Sequence, residues 1–195
     1  VIDDSADVTN VVFIGTSRTK TSISVLPEAT ITGAEFLDAS VSGTLDGNAK
    51  LLDCEIAVLN YIEGYVERCV LSPGTITLGG GQAGHFLDCW SGVPGLVTPE
   101  INMGGAGQAL AMRNYNGGIT LTNKTGTDSV SLDLNSGTVV LASTVTLGTI
   151  VARGVGKLID ESGDRIPTGM WNGCTIINET VNAENLSEHL LDTVA

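Results

Sequence analysis

The sequence predicts an all-β fold, a parallel β-helix (a solenoid) with a short C-terminal α-helical segment. Composition gives the first reason. Hydrophobic residues make up 42% of the chain, but aromatic residues only 4%, and there are 25 glycines. The apolar residues are therefore mainly small or β-branched. Such a composition favours many short strands joined by tight turns over a globular core built on aromatic rings.

A recurring phrase gives the second reason. It reads Phe-Leu-Asp-Ala at 36–39, Leu-Leu-Asp-Cys at 51–54, Val-Glu-Arg-Cys at 66–69 and Phe-Leu-Asp-Cys at 86–89. The polar positions are 15, 15 and 20 residues apart. Close but unequal spacing is typical of solenoid coils, in which strands stay in register while turns vary in length. The small residues that end each phrase should therefore point inward in one column: Ala39, Cys54, Cys69 and Cys89.

The third reason is a series of short strands in the second half of the chain. We predict consecutive strands at residues 118–122, 129–134, 138–141, 145–147 and 149–151. Alternation is clear in the second, where Val130, Leu132 and Leu134 would point the same way. The sequence between these strands has no room for the helical crossovers of a conventional parallel sheet, so a β-helix accounts for them.

These patterns divide the chain into three parts. Residues 1–20 are predicted to be an N-terminal lead-in strand, 21–157 the parallel β-helix, and 158–195 a C-terminal strand, turn and helix. The helix prediction rests on Asn185 as its cap, with Glu188 three residues later. An apolar face of that helix would be formed by Leu186, Leu190 and Val194.

Charge and cysteine content exclude several classes of function. The formal net charge of −13 disfavours binding to nucleic acids and to anionic membranes. No apolar run approaches the roughly 18 residues needed to cross a bilayer, so we expect no membrane insertion. The start of the chain shows no secretory signal. The four cysteines are therefore expected to be reduced and buried, without a disulfide.

Six segments carry a family resemblance: residues 76–81, 85–95, 103–105, 112–119, 149–156 and 177–182. In these segments, which span roughly half the chain, it resembles bacteriophage tail, neck (collar) and baseplate fibre proteins with a trimeric β-helical shaft. The resemblance implies a virion structural protein that is assembled in the host bacterial cytoplasm. It also implies a homotrimer that contacts other virion structural proteins and presents a host-attachment module to the cell surface.

Two other classes of function are alternatives: a receptor- or carbohydrate-binding tip, and a polysaccharide depolymerase of the tailspike type. Asp38, Asp53 and Asp88 could line one face as stacked carboxylates, and glycosidases use carboxylate pairs. Arg68 interrupts this column, and alternating charge favours a ladder that relieves like-charge repulsion. The longest stretch predicted to be irregular, residues 90–107, could belong to a shaft or to a binding site. We predict no enzymatic activity and no catalytic residues.

Two motifs are judged by their context. Residues 79–84 match the Gly-x-Gly-x-x-Gly fingerprint of dinucleotide sites, but a strand follows where a helix would be needed. We interpret them as a turn and expect no cofactor. His85 and His189 are too isolated to form a metal site or a catalytic triad.

The remaining polar motifs are weak. Asp160, Glu161 and Asp164 cluster at a predicted turn, which is either solvated or a weak cation site, and we predict no metal. Trp90 is expected to mark a corner or a subunit contact, with receptor contact as the alternative. Three glycosylation sequons, at Asn123, Asn178 and Asn185, are expected to be accidental.

Overall fold

The chain is all-β. The computed structural model describes residues 1–3, 5–45, 48–61, 64–79, 83–92, 97–105, 107–162 and 171–178. Within these ranges it forms 22 strands and no helix. Accordingly, no helix in this part of the chain is long and apolar enough to span a bilayer.

The strands are short, and turns separate them. They are β1 (Asp7–Thr9), β2 (Val12–Ile14), β3 (Ser22–Val25), β4 (Thr30–Thr32), β5 (Glu35–Leu37), β6 (Ser40–Leu45), β7 (Ala49–Leu52), β8 (Glu55–Tyr61), β9 (Gly64–Glu67), β10 (Val70–Leu71) and β11 (Thr75–Leu78). The second half contains β12 (Ala83–Leu87), β13 (Trp90–Ser91), β14 (Glu100–Gly105), β15 (Ala109–Asn116), β16 (Ile119–Lys124), β17 (Ser129–Ser136), β18 (Thr138–Leu141), β19 (Ile150–Gly154), β20 (Lys157–Asp160), β21 (Trp171–Asn172) and β22 (Thr175–Asn178).

The strand pairings are parallel and fall into three series, which we call ladders. The first ladder runs β2–β5–β7–β9–β12–β15–β17–β19–β21. The second runs β3–β6–β8–β10–β13–β15. The third runs β6–β8–β11–β14–β16–β18–β20–β22, because the longer strands β6 and β8 contribute to two ladders. Twenty strands form one sheet in this way, and β1 pairs separately with β4.

Side chains alternate between the core and the outside along each ladder. In the first ladder the inward positions stack apolar residue on apolar residue and are buried: Phe36, Leu51, Val66, Phe86, Met112 and Leu132. Phe13 extends this stack, with its ring centroid 5.0 Å from that of Phe36. In-register parallel pairing brings like residues together about 4.8 Å apart, and the buried apolar residues of the described strands form one core cluster.

The column of small residues is confirmed. Ala39, Cys54, Cys69 and Cys89 are all fully buried. Each precedes a strand of the second ladder, and the registers Ser40↔Glu55↔Val70↔Trp90 place them one above another. The three thiols each lie within 3.3 to 3.4 Å of two backbone carbonyls. Burial raises the pKa of the Cys69 thiol.

We expect only one thiol per folded chain to react with a soluble disulfide reagent. Cys54, Cys69 and Cys89 are buried, whereas Cys174 is partly exposed, and all four are free. Thiol counting should give one fast equivalent for the native protein and four in denaturant, with a melting temperature that reductant leaves unchanged. A second fast thiol would contradict the buried column, and a lower melting temperature in reductant would reveal a disulfide.

Two predictions of local structure were wrong. Residues 145–147 are not a strand, although Val145 and Leu147 are buried. A turn precedes them, and the carbonyl of Thr146 accepts a hydrogen bond from the Lys124 ammonium instead of a strand neighbour. The stretch 90–107 is not irregular throughout, since β14 lies within it and pairs with β11.

Both ends of the described chain take part in the ladders. Residues 1–20, predicted to be a lead-in strand, contain β1 and β2, and β2 pairs with β5 in the first ladder. At the other end β22 pairs with β20, so the third ladder extends to residue 178. The predicted helix at 185–194 lies outside the described residues.

Candidate functional site: the polar corner column

A column of polar residues forms the corner between the first and second ladders. Its members are the four polar residues of the recurring phrase and Asn114. They share left-handed backbone φ values of 50° to 57°: Asp38, Asp53, Arg68, Asp88 and Asn114. Asp and Asn tolerate this conformation better than other residues with a Cβ atom, because their short side chains bond locally. The recurrence of Asp in the sequence is therefore explained by the sharp turn at each corner.

The side chains of the corner column bind one another along its length. Arg68 donates through Nε and Nη2 to the two carboxylate oxygens of Asp53, at 3.0 and 2.9 Å. The same guanidinium also pairs with Glu67. Farther along, Asn114 donates to Asp88, and Asn135 donates to Asn114. The column thus contains two hydrogen-bonded groups, Asp53 with Arg68 and Asp88 with Asn114 and Asn135.

The electrostatics of the corner column favour a structural role over general acid catalysis. The hydrogen bonds from Arg68 hold the pKa of Asp53 below its usual range. A general acid needs the opposite shift, so that it carries a proton near neutral pH. Asp53 and Arg68 are each nearly half exposed, so their pair contributes only about 0.2 to 1 kcal/mol to stability.

A long connection folds over this corner. Only Asp38 and Ala39 join β5 to β6, whereas residues 15–21 join β2 to β3. This connection places the guanidinium carbon of Arg18 5.1 Å from the centroid of the Trp90 ring. Such cation–π contacts contribute roughly 0.5 to 2 kcal/mol. Trp90 therefore packs against its own chain at a corner, as one of the two sequence interpretations expected.

A buried lysine, which the sequence analysis missed, lies at the end of β16. Lys124 is only 1% exposed. Its Nζ donates to the carbonyls of Thr125 and Thr146, both at 2.9 Å, and to that of Gly148. Burial lowers the pKa of the Lys124 ammonium, and the charge of Asp128 opposes that shift. The ammonium thus binds backbone carbonyls of the turn after β16 and of the connection between β18 and β19.

Asp128, at the far end of the turn between β16 and β17, accepts hydrogen bonds that hold this turn. It is fully buried. Its Oδ1 accepts from the backbone N–H of Gln108 at 2.8 Å, and its Oδ2 accepts from the backbone N–H and the hydroxyl of Thr125 at 2.6 and 2.9 Å. Sequence reasoning missed both residues because a Lys and an Asp in a Thr-Gly-Thr turn are usually solvated.

The outer side of the third ladder has a polar groove of about 520 Å³. Its walls include Thr77, Asn102, Asn123, Thr144 and Thr146. Asn123 donates from Nδ2 to Oδ1 of Asn102 at 3.1 Å, so the two amides already bind each other. The groove has hydroxyl and amide groups but no aromatic side chain on which a sugar ring could stack.

The other candidate residues do not form a site within the described residues. His85 stacks on Tyr65, with ring centroids 5.0 Å apart. Asp160 is buried and accepts from the backbone N–H and hydroxyl of Ser162 at 2.9 and 2.6 Å, while Glu161 is exposed. In the described part of the chain no group of three or more His, Cys, Asp or Glu residues is placed to hold a metal ion. Residues 80–82, Asp164, Asn185 and His189 lie outside it.

No family model, no curated protein and no solved structure matches this chain.

Proposed function

We propose that this protein is a structural, non-catalytic segment of a bacteriophage fibre, with a parallel β-helical shaft that works as a homotrimer in the tail, neck (collar) or baseplate. The phage origin rests on the resemblance of the six segments between residues 76 and 182. The shaft role rests on one structural observation. The parallel pairing of the first ladder continues from β2 to β21, and the polar corner column follows it from residue 38 to residue 114.

The three ladders are interpreted as the three sides of one coil. Residues 49–64 make one complete pass, from β7 in the first ladder through both halves of β8 to β9 in the first ladder again. Partners in the first ladder are separated by one such pass, as in Lys50↔Tyr65 and Tyr65↔His85. On this interpretation the shaft has nine described strands on its first side.

The corner column supports a passive shaft because three of its four charged groups bind neighbours along the axis: Asp53, Arg68 and Asp88. Asp53 is bound by Arg68, and Asp88 by Asn114. An enzyme or a lectin needs polar groups that converge on a concave site. The polar groove on the third ladder is the feature that favours the alternative, a receptor- or carbohydrate-binding tip.

Light scattering tests the assembly. A homotrimer should give about three times the chain mass of 20.1 kDa at micromolar concentration. An apolar contact on an acidic chain should be insensitive to added salt or strengthened by it, because salt screens the repulsion between chains. A monomeric mass in physiological salt would contradict the proposal. If the protein cleaved or specifically bound a bacterial polysaccharide, that would favour the alternative functions. Locating the chain in a particle reconstruction would test the virion role.

A further inference from the structure

We propose that the outer surface of the first ladder is the contact surface between copies of this chain in the homotrimer. The inference rests on the proposed function, which supplies the occupant, a second copy of the chain. Three properties of this surface carry it: exposed apolar side chains, balanced charge and an area close to that of a typical specific interface.

Large exposed hydrophobic side chains concentrate on the first ladder. Five point outward from it: Val12, Ile14, Tyr65, Leu87 and Val151. Their exposed fractions range from 39% for Leu87 to 74% for Ile14. By contrast, the described strands of the other two ladders contain two such residues: Ile176 in β22, and Val58 in β8, which the second and third ladders share. Exposed apolar residues that share one face mark an interaction surface.

The outward charges of the first ladder balance, although the chain as a whole carries −13. Three acidic and three basic residues point outward from its strands: Glu35, Glu67, Asp133, Lys50, Arg113 and Arg153. Two pairs already bind each other, Lys50 with Glu35 at 2.6 Å and Arg153 with Asp133 at 2.9 Å. The acidic excess of the chain lies elsewhere, so two such surfaces can approach each other without net repulsion.

The middle of this surface is shaped for close approach. A shallow depression of about 460 Å³ lies over β12, β15, β17 and β19. Its outward side chains are small: Ala83, Ala109, Ala111, Ser129 and Ser131. His85 and Val151 also line it. Small outward side chains let backbones approach, and the larger apolar groups around them supply the area that leaves water.

The outline area of this surface approaches that of a typical specific contact. Nine strands about 4.8 Å apart and roughly four residues wide give a surface on the order of 40 by 14 Å, or roughly 550 Å², before side-chain relief is counted. A typical specific interface takes about 800 Å² from each partner. Side-chain relief adds to this outline area, so the surface approaches the size of a typical interface. Its mixture of exposed apolar residues and balanced charges suits contact with a second copy better than exposure to solvent.

Paired arginine substitutions test the assignment. The Ala111→Arg, Val151→Arg double variant places cations on the first ladder, and Thr77→Arg, Val140→Arg places the same two charges on the outer side of the third. We expect the first variant to weaken trimer formation by on the order of 100-fold or more, because like charges would meet across the contact. The control should assemble like the wild type. Sedimentation measures both, and circular dichroism checks that each chain folds.

The outcomes separate this proposal from the proposed function. A monomeric wild type would overturn the homotrimer, and this surface with it. If the wild type is trimeric, the assignment to the first ladder requires that only the first-ladder variant dissociates. Any other result (both variants assemble, both dissociate, or only the third-ladder variant dissociates) would show that the assignment to the first ladder alone is wrong, while the homotrimer would stand. Should Ala111→Arg, Val151→Arg fail to fold, hydroxyl-radical footprinting of the wild type decides. Tyr65 should be protected at trimer-forming concentration and reactive on dilution, and equal reactivity would overturn the assignment.

Discussion

Replacing Gly137 by Ala should destabilise the protein by about 3 to 5 kcal/mol. Gly137 joins β17 to β18 with a φ of +95°, a conformation that side chains with a Cβ atom rarely adopt. A Cβ atom at this position would lie 1.8 Å from the carbonyl oxygen of Gly117 on the neighbouring coil. Because the obstacle is backbone, it cannot rotate away, and the coils would have to separate.

Gly126→Ala is the matched control. Gly126 also lies in a turn, but its φ is outside the left-handed region and a Cβ atom would have nothing within 4 Å. Its substitution should be neutral or slightly stabilising, by up to about 1 kcal/mol, since alanine restricts the unfolded chain. Urea unfolding at a fixed chain concentration measures both effects, because the stability of an oligomer depends on concentration. Equal stability of the two variants would show that the coils do not approach as closely as described.

The corner column could be predicted from sequence because it repeats one local requirement. Each corner needs a residue that accepts a left-handed φ, followed by a small residue that points inward. Asp38, Asp53 and Asp88 meet the first need, and the small residues after them meet the second. In-register stacking imposes the same two needs on every coil, so the phrase recurs and can be found without an alignment.

The corner at Asn114 was missed because it combines a left-handed residue with a large inward residue in place of a small one. Asn114 takes the left-handed position with a φ of 57°, but a large residue, Tyr115, takes the inward one. Tyr115 is fully buried, and its hydroxyl donates to the carbonyl of Gly118 at 3.2 Å. That hydroxyl would be costly to bury without a partner. Because its partner depends on the path of the chain after the corner, the sequence phrase alone could not show that Tyr continues a column of cysteines.

The error at residues 145–147 has a related cause. Val145 and Leu147 alternate and are buried as a strand would require. What excludes the strand is the buried ammonium of Lys124, which takes the carbonyl of Thr146. A lysine side chain is normally exposed to solvent. The alternation of apolar residues therefore gives no sign that a buried lysine will bind a carbonyl that a strand neighbour would otherwise pair with.

Replacing Asp128 by Ala should cost about 3 to 5 kcal/mol of stability, because it leaves buried polar groups without partners. The substitution removes the acceptor of three hydrogen bonds, from the backbone of Gln108 and from the backbone and hydroxyl of Thr125. It also removes the negative charge beside the buried Lys124 ammonium. Asp128→Asn should lose less stability, roughly 1 to 3 kcal/mol, because the amide keeps one acceptor oxygen. Its NH₂ group would take the place of Oδ2 and face the Thr125 N–H and hydroxyl, which are themselves donors.

Asp133→Ala is the matched control for Asp128→Ala. Asp133 binds Arg153 at 2.9 Å, but both side chains are substantially exposed. Losing that pair should cost less than about 1 kcal/mol. Because Asp133 also lies on the proposed contact surface, sedimentation first identifies a chain concentration at which the wild type and all three variants have the same mass. Urea unfolding at that concentration then compares their free energies of unfolding. An order of Asp128→Ala, then Asp128→Asn, then Asp133→Ala, from most to least destabilised, is expected. A cost for Asp128→Ala within about 0.5 kcal/mol of the Asp133 control would mean that the buried network does not hold the turn between β16 and β17.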